Sequence, residues 1–442
     1  MVLMQNDNLT PINSLLNSSS NNGALPFYKK RFSFLSKKPH LKIIVLWSVA
    51  VIFLGILSST AFLYRAKTNR SNLLNPNSSG QGSKSGEGND SGGFENIESG
   101  EFKNYLNGAY ISESSFNRMQ KNKPVTVMIN NHTLARPAAG LSQADIVYEI
   151  VAEGGITRFL AVFASNLPEK VGPVRSMRKY FQQVAAEYFP ISTHWGIAYR
   201  PEYEKNLSDE EFAYLVSQNG QECDPRADAR SYLDELGLPT LDQTALPGDV
   251  ASSLFYKDSS LALPTEHTAF IRLNTVYENF VKVYPEPSWL SRQDITSWNF
   301  IEGNDPNVYT SEVTNISYNF WDMGGFQTSW KYISDTGMYE RTQGEQKTID
   351  RNNNKMVPVK TVILQKAKET KLNDVKSHML YDVIGSGDAT IYLNGKKILA
   401  KWSKSSARSR TLFTDLSGKP IYFNRGLIWV AILPDYSEVV EN

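Results

Sequence analysis

The chain has 442 residues, with 46 Lys and Arg against 45 Asp and Glu and a formal net charge of +1. This balance, without a basic groove interleaved with aromatic residues, argues against a nucleic-acid partner. The single cysteine, Cys223, cannot form an internal disulfide, so the fold depends on ordinary hydrophobic cores.

The N-terminal region contains a long apolar segment. Ile43–Leu63 has no charged residue in 21 positions and would span about 30 Å as a helix, which matches a bilayer core. Six basic residues precede this segment and three follow it closely. We therefore predict a basic cytoplasmic tail over residues 1–42 and a transmembrane helix over residues 43–63. A cleavable signal peptide is the alternative, but the long segment before the apolar run argues against it.

The rest of the chain is expected outside the cytoplasm, anchored to the cytoplasmic membrane. Residues 64–101 are rich in Ser, Gly and Asn and predict a flexible linker. The following 340 or so residues exceed the usual size of one core. We predict an α+β fold, with a mixed α/β domain over 102–290 and a small, mostly antiparallel β domain over 291–442.

The first predicted domain concentrates charge between Asp145 and Tyr199. A strand over Pro124–Asn131 is followed by a hairpin that turns at Gly154 and Gly155. In the register that we predict, Val151 lies opposite Arg158. Both Glu149 and Glu153 are then diagonal to that guanidinium and on its face.

A helix is predicted after this hairpin, with Ser176 as its N-cap and Pro190 at its end. Arg175 and Arg178 flank its start, where the helix dipole disfavours a cation by about 0.3–1 kcal/mol. A negative group is therefore expected nearby. It is either an anionic ligand on the first turn or a glutamate of the hairpin, and both explanations stay open. The next predicted strand carries His194.

The second predicted domain is marked by strands and tight turns. Asn394-Gly395 and Ser417-Gly418 each separate two strand-like segments and predict hairpins. The uninterrupted apolar segment Leu427–Leu433 predicts a strand buried on both faces.

The segment ARPAAGLSQADIVYEIVAEGGITR, then GPVRSMRKYF and His194-Trp195-Gly196, closely resemble the YerB-like family of bacterial envelope lipoproteins, a two-part domain of unknown function. The resemblance covers about 320 residues. It places the family's polar set on Asn130, Arg136, Asp145, Glu149, Glu153, Arg158, Arg175, Ser176, Arg178 and His194. Two departures are Glu266-His267-Thr268 in place of Pro-His-Asn, and a membrane helix in place of the lipidation cysteine. The resemblance implies no activity.

Enzyme signatures are missing from the sequence. It has no hydrolase elbow, zinc-protease motif, phosphate loop or dinucleotide fingerprint. Because His132, His194 and His267 are far apart and Cys223 has no neighbouring histidine in the sequence, we expect no metal and no cofactor.

We interpret the chain as a membrane-anchored extracytoplasmic binding protein of the bacterial envelope. Its ligand is expected to be anionic, a wall-polymer phosphate or a peptide carboxylate. The predicted ligand-binding residues are Asn130, Arg136, Arg158, Arg175, Ser176 and Arg178. One alternative is an envelope hydrolase or transferase that uses Glu149, Glu153 and His194, although Arg158 would hold both carboxylates ionised. Another is a scaffold for an envelope protein, with a purely internal charge cluster.

Overall fold

The structure is a computed structural model that describes residues 101–442. The tail predicted over 1–42, the transmembrane helix predicted over 43–63 and all but the last residue of the linker predicted over 64–101 lie outside the described residues. Within 101–442, no helix is both long enough and apolar enough to cross a membrane. The described region is α+β, with a large body that consists mostly of sheet.

The α-helices of the described region all lie in its first part. They are α1 (Glu113–Lys121), α2 (Lys179–Ala185), α3 (Glu202–Lys205), α4 (Asp209–Asn219), α5 (Ala229–Leu236), α6 (Gly248–Leu254), α7 (Val276–Val283) and α8 (Pro287–Leu290). The strands that accompany them are β1 (Phe102–Lys103), β2 (Tyr110–Ile111), β3 (Val125–Asn130), β4 (Ile146–Glu153), β5 (Ile156–Phe163), β6 (Ile191–His194), β7 (Thr240–Asp242), β8 (Phe255–Lys257) and β9 (Ala269–Ile271).

Residues 291–442 are built from strands, as the alternating and turn-rich sequence predicts. The strands are β10 (Asn299–Phe300), β11 (Ser311–Glu312), β12 (Asn315–Tyr318), β13 (Thr328–Ile333), β14 (Met338–Gln343), β15 (Gln346–Lys347), β16 (Val359–Ala367), β17 (Glu369–Lys371), β18 (Met379–Tyr381), β19 (Gly385–Leu393), β20 (Lys396–Lys404), β21 (Leu412–Asp415), β22 (Tyr422–Phe423), β23 (Leu427–Pro434) and β24 (Val439–Glu441).

One large sheet contains strands from both predicted domains. Its strand order is β24, β12, β13, β14, β16, β23, β4, β5, β3, β6 and β7, and β19, β20, β21 and β11 extend it from β16. Strand β23 joins the two parts because it lies parallel to both β16 and β4. All eight of its residues are buried, which confirms the prediction of a strand covered on both faces. The sheet of the first part therefore continues directly into that of the second.

The hairpin of β4 and β5 turns at Gly154 and Gly155, and both glycines have the positive φ that this turn requires. The predicted register is wrong by one residue. Ile150, not Val151, lies opposite Arg158, because a bulge between Val151 and Glu153 adds a residue to β4. The bulge brings Glu153 toward Arg158 and leaves Glu149 on the other face.

One helix boundary and one strand pairing also differ from the predictions. The helix after the hairpin begins at Lys179 with Arg178 as N-cap, so Arg175 and Ser176 belong to the extended segment before it. The reason is that this segment is held between strands: the Arg175 N–H donates to Met128 O of β3, and the Arg175 carbonyl accepts from Trp195. The hairpin predicted at Ser417-Gly418 forms but is short: Thr414 pairs with Pro420, and β22, which follows, pairs with β10.

A buried charge network also joins the two parts of the chain. Glu187 accepts hydrogen bonds from Lys404 at 2.7 Å and from the Thr411 hydroxyl at 2.7 Å, and it pairs with Arg410. The Arg410 guanidinium lies 3.7 Å from the centre of the Trp298 ring. Burial disfavours the Glu187 carboxylate, but Lys404 and Arg410 outweigh that effect and lower the pKa of Glu187 to about 2. The network is therefore ionised at neutral pH.

Candidate functional site

Glu149, one of the predicted catalytic candidates, lies fully inside the protein. Its carboxylate forms an ion pair with Arg341 of β14 at 2.6 Å, and neither side chain is more than 2% exposed. The other donors to this carboxylate are Asn131, Thr157, Gln343 and Trp429. The Arg341 guanidinium is stacked against the rings of Phe159, Trp330 and Trp429. With this set of partners, Glu149 has no access to a ligand.

Glu153, the second carboxylate, is also occupied by protein partners. Arg158 donates to one of its oxygens and Arg178 donates to the other. Burial raises its pKa, but the two guanidinium groups outweigh burial and lower the pKa of Glu153 to about 2. Glu153 therefore stays ionised. It also lies on the opposite face of the hairpin from Glu149, so the two carboxylates do not face a common substrate.

Other predicted residues are held by internal hydrogen bonds. Arg136 donates to the carbonyl oxygens of Asn131, Gly325 and Gln343. His194 is completely buried, with its ring nitrogens at 2.8 Å from the Gly196 carbonyl and at 2.7 Å from the Thr240 hydroxyl. These contacts hold the first loop after β3 and the end of β6 in place.

Asp145 and Ser176 likewise contact the protein. The Asp145 carboxylate is buried and accepts from Asn104 at 2.6 Å and from the Ala164 N–H at 2.7 Å. The Ser176 hydroxyl donates to the Trp195 carbonyl at 3.0 Å, and the Ser176 carbonyl accepts from Arg158. Both residues thus fix the backbone around the hairpin and the segment before α2.

Arg175 differs from the other predicted cations. Its backbone is fixed between β3 and Trp195, and its side chain is partly buried. Within the part of the chain that the structure describes, its guanidinium makes no hydrogen bond and no ion pair. Glu153 is close enough to act on its charge but is already paired twice. Arg175 therefore retains donors for an external group.

Two histidines lie close enough to Arg175 for its charge to lower their pKa, and neither has a role predicted from the sequence. The rings of His132 and His267 are stacked with centres 4.8 Å apart and an angle of 14° between their planes. The Asn130 side chain contacts both residues. Its Oδ1 accepts from the backbone N–H of His132, and its Nδ2 lies 2.9 Å from His267 Nδ1. The Asn130 amide is thereby oriented, so Nδ2 donates and His267 Nδ1 accepts.

The hydrogen bonds assign the neutral form of both histidines. His132 Nδ1 accepts from the Leu134 N–H at 3.2 Å, just as His267 Nδ1 accepts from Asn130. In a neutral imidazole whose Nδ1 is an acceptor, the proton is on Nε2. The pair therefore offers two Nε2–H donors.

The charge around the two rings is positive. Burial lowers the pKa of both histidines, and Arg175 lowers each of them further. Glu266 opposes this effect, but its side chain is exposed. We call Arg175, His132 and His267, with Asn130 as their support, the Arg175 site. It contains one guanidinium that no residue of 101–442 pairs, together with two neutral imidazole donors, which is an arrangement that suits an anion.

A separate cavity of about 760 Å³ lies in another part of the described structure. Its lining includes Lys404, Arg408 and Arg410, together with Glu187 and several serines. Glu187 already pairs with both Lys404 and Arg410, and Arg408 donates to the Leu236 carbonyl. None of the predicted ligand-binding residues contributes to this lining.

The chain matches two family models. Residues 112–283 match the N-terminal domain of a protein of unknown function, DUF3048, and residues 316–430 match its C-terminal domain. The chain is 27% identical to "Putative lipoprotein YerB" of Bacillus subtilis (strain 168) over 318 residues, which are 72% of this chain and 83% of that protein. It is also similar to the crystal structure of YerB protein from Bacillus subtilis. In that comparison the TM-score is 0.56 and the identity 25%, with 77% of this chain and 99% of the other covered.

Proposed function

We propose that this chain, which belongs to the two-part DUF3048 family of unknown function and is similar to YerB, is a membrane-anchored envelope protein that binds an anionic ligand. The observation that carries the proposal is the guanidinium of Arg175, which forms no hydrogen bond or ion pair with the described residues and lies close to two neutral imidazoles. The ligand is a phosphate group of a wall polymer or a carboxylate of a peptide, because both accept several hydrogen bonds from such donors.

The anchor rests on a different part of the chain. The apolar segment over residues 43–63, with basic residues before it, supports a helix that retains the protein in the membrane. The name of the Bacillus subtilis relative, a lipoprotein, supports the same compartment with another kind of anchor. A reporter enzyme fused after Asn442 should then be active outside the cytoplasm, and reporter activity inside the cytoplasm would reject this orientation.

The proposed ligand set is smaller than the one predicted from the sequence. Three of the predicted arginines already have partners inside the protein: Arg136 donates to carbonyl oxygens, and Arg158 and Arg178 pair with Glu153. These contacts need no external anion. Of the four arginines predicted to bind the ligand, only Arg175 has a guanidinium that makes no hydrogen bond or ion pair with the described residues. An anion that binds there would also gain from the positive potential of the neighbouring guanidinium groups.

Calorimetric titration of the full-length chain in detergent tests the proposal. The titrants are inorganic sulfate, inorganic phosphate, a phosphate-containing wall fragment and a peptide with a free carboxylate. Arg175→Gln should weaken binding of the true ligand class at least about tenfold, which corresponds to the loss of roughly 1.4 kcal/mol. The thermal midpoint should stay unchanged, because this guanidinium makes no hydrogen bond or ion pair with a described residue.

Arg292→Gln is the matched control. It removes the same charge from a partly buried arginine that pairs with Asp294 elsewhere on the surface. The control should bind as the unmodified chain does. Equal affinity of Arg175→Gln and the unmodified chain for all four titrants would reject the Arg175 site, and a loss confined to Arg408→Gln would assign the anion to the separate cavity instead.

A further inference from the structure

Three side chains that can bind a metal meet where two distant loops touch. Cys223 lies in the loop between α4 and α5. Asp374 and His378 lie in the turn between β17 and β18. One sulfur, one carboxylate oxygen and one imidazole nitrogen from these residues are all within 4.8 Å of one another. In space, therefore, Cys223 does have a histidine beside it, which its sequence neighbours do not indicate.

The two loops are held together by their backbones. The Val375 N–H donates to the Gln221 carbonyl at 2.9 Å, and the Asp224 N–H donates to Asp374 Oδ2 at 2.9 Å. Asp374 also fixes its own turn, since its Oδ1 accepts from the His378 N–H at 3.0 Å. The three side chains are thus positioned by contacts that do not depend on their ability to bind a metal.

The cluster is closed to solvent. Cys223 is 1% exposed and His378 is 4% exposed, and the Asp374 side chain is fully buried. A buried carboxylate needs a positive partner, because its charge is costly in a medium of low polarity. Asp374 Oδ2 lies 2.9 Å from His378 Nδ1, and burial and Arg178 lower the pKa of that imidazole; among the described residues no lysine or arginine pairs with the carboxylate.

We propose that Cys223, Asp374 and His378 form a binding site for a divalent transition metal ion, with Zn²⁺ as the expected occupant. A thiolate, an imidazole and a carboxylate are the three ligand types that Zn²⁺ accepts in proteins, and three protein ligands leave one coordination position for water. Mg²⁺ and Ca²⁺ are disfavoured by the sulfur and nitrogen ligands, since both ions prefer oxygen.

The protonation of the cluster is compatible with this role. Burial and Arg178 lower the pKa of His378, so the imidazole is neutral, as a metal ligand must be. Burial and Asp374 raise the pKa of the Cys223 thiol to about 12, so the ion has to displace its proton. The bound state would consist of a thiolate, a carboxylate and a dication, with no net charge.

The site would connect two regions that otherwise share few apolar contacts. Cys223, Ala227 and Leu372 form a small hydrophobic cluster of their own, separate from the main core. An ion held by residues about 150 positions apart would close a long loop and stabilise this junction. The role that follows is structural.

The test uses the full-length chain with its affinity tag removed. The protein is treated with a chelator and then titrated with Zn²⁺ in competition with a chromogenic chelator, and in parallel with Co²⁺. One equivalent of Zn²⁺ per chain is expected. The Co²⁺ form should show the near-ultraviolet charge-transfer band of a thiolate ligand.

Variants identify the ligands. Cys223→Ser should abolish the charge-transfer band, and both Cys223→Ser and His378→Gln should weaken Zn²⁺ binding at least about tenfold. Asp388→Asn is the control, because it removes an exposed carboxylate outside the cluster and should bind Zn²⁺ like the unmodified chain. Circular dichroism reports whether each variant is folded.

Two results would overturn the proposal. One is a Co²⁺ form of the unmodified chain without a thiolate band, a measurement that is independent of the folding of any variant. The other is a folded Cys223→Ser protein that binds Zn²⁺ as tightly as the unmodified chain, which would mean adventitious binding to other residues such as His132 and His267.

Discussion

Glu149 and Arg341 are 192 residues apart in the chain and meet in the core as an ion pair at 2.6 Å. Glu149 belongs to the strand that carries the charged hairpin, and Arg341 belongs to the β-rich part. The contact explains why a carboxylate in the most conspicuous charged segment of the sequence is inaccessible to ligand. The stability of each part of the chain therefore depends on the presence of the other.

We expect Arg341→Ala to lower the free energy of unfolding by about 3–5 kcal/mol, because it leaves the buried Glu149 carboxylate without its cation. Urea denaturation measures the change. Lys347→Ala is the control, since it removes an exposed pair with Glu340 and should cost no more than about 1 kcal/mol. A loss below 1 kcal/mol for Arg341→Ala would contradict the assignment of Glu149 to this internal pair.

Stability should fall in acid partly through Glu187. Its pKa is about 2 in the folded chain and near 4.5 when exposed, so its contribution is complete above pH 4.5 and is lost as the pH falls toward 2. The loss is on the order of 3 kcal/mol. Denaturation between pH 7 and pH 3 should show a smaller pH dependence for Glu187→Gln than for the unmodified chain. Equal slopes would mean that the network is not ionised.

Sulfate binding should strengthen as the pH falls. An anion at Arg175 raises the pKa of His132 and His267, which burial and Arg175 otherwise hold below the ordinary value of 6.5. The histidines then take up protons on binding, so affinity is lost as the pH rises through their pKa in the complex. Sulfate is used because it does not change its own charge in this range.

Calorimetry in buffers of different ionisation enthalpy counts the protons that accompany sulfate. His132→Gln should reduce the uptake, whereas Arg292→Gln should leave it unchanged. Proton uptake that is identical in His132→Gln and the unmodified chain would exclude His132 from the Arg175 site.

Residues 102–290, the first predicted domain, should be insoluble when expressed alone. Without β23 the edge of β4 is unpaired and its apolar residues are exposed. Co-expression with residues 291–442 should recover soluble protein that purifies as a complex. A monomeric, cooperatively melting fragment 102–290 would show instead that the predicted domain is independent and that β23 is dispensable for it.

Much of the strand structure follows from local sequence. The glycine pair at 154–155 and Asn394-Gly395 satisfy the positive φ values of tight hairpins, and both hairpins form as predicted. The bulge beside Glu153 has no such signal, because any residue can occupy it. One inserted residue is enough to move Glu149 and Glu153 to opposite faces.

The candidate site was predictable only in part. Because a cation at the start of a helix needs a negative partner, the sequence indicates that Arg175 and Arg178 both lie near a negative group. Which of them is paired depends on the bulge and on contacts far away in the sequence. The same is true of His378, which reaches Cys223 only through the pairing of two loops. Local patterns do not contain that information.

The central position of β23 has a consequence for the order in which the protein is made. The ribosome completes β4 long before β23, with 280 residues between Glu149 and Trp429. During that interval one edge of β4 has no partner strand, so the sheet of the first part stays incomplete. The sheet can therefore be completed only after the ribosome has synthesised the chain as far as residue 434.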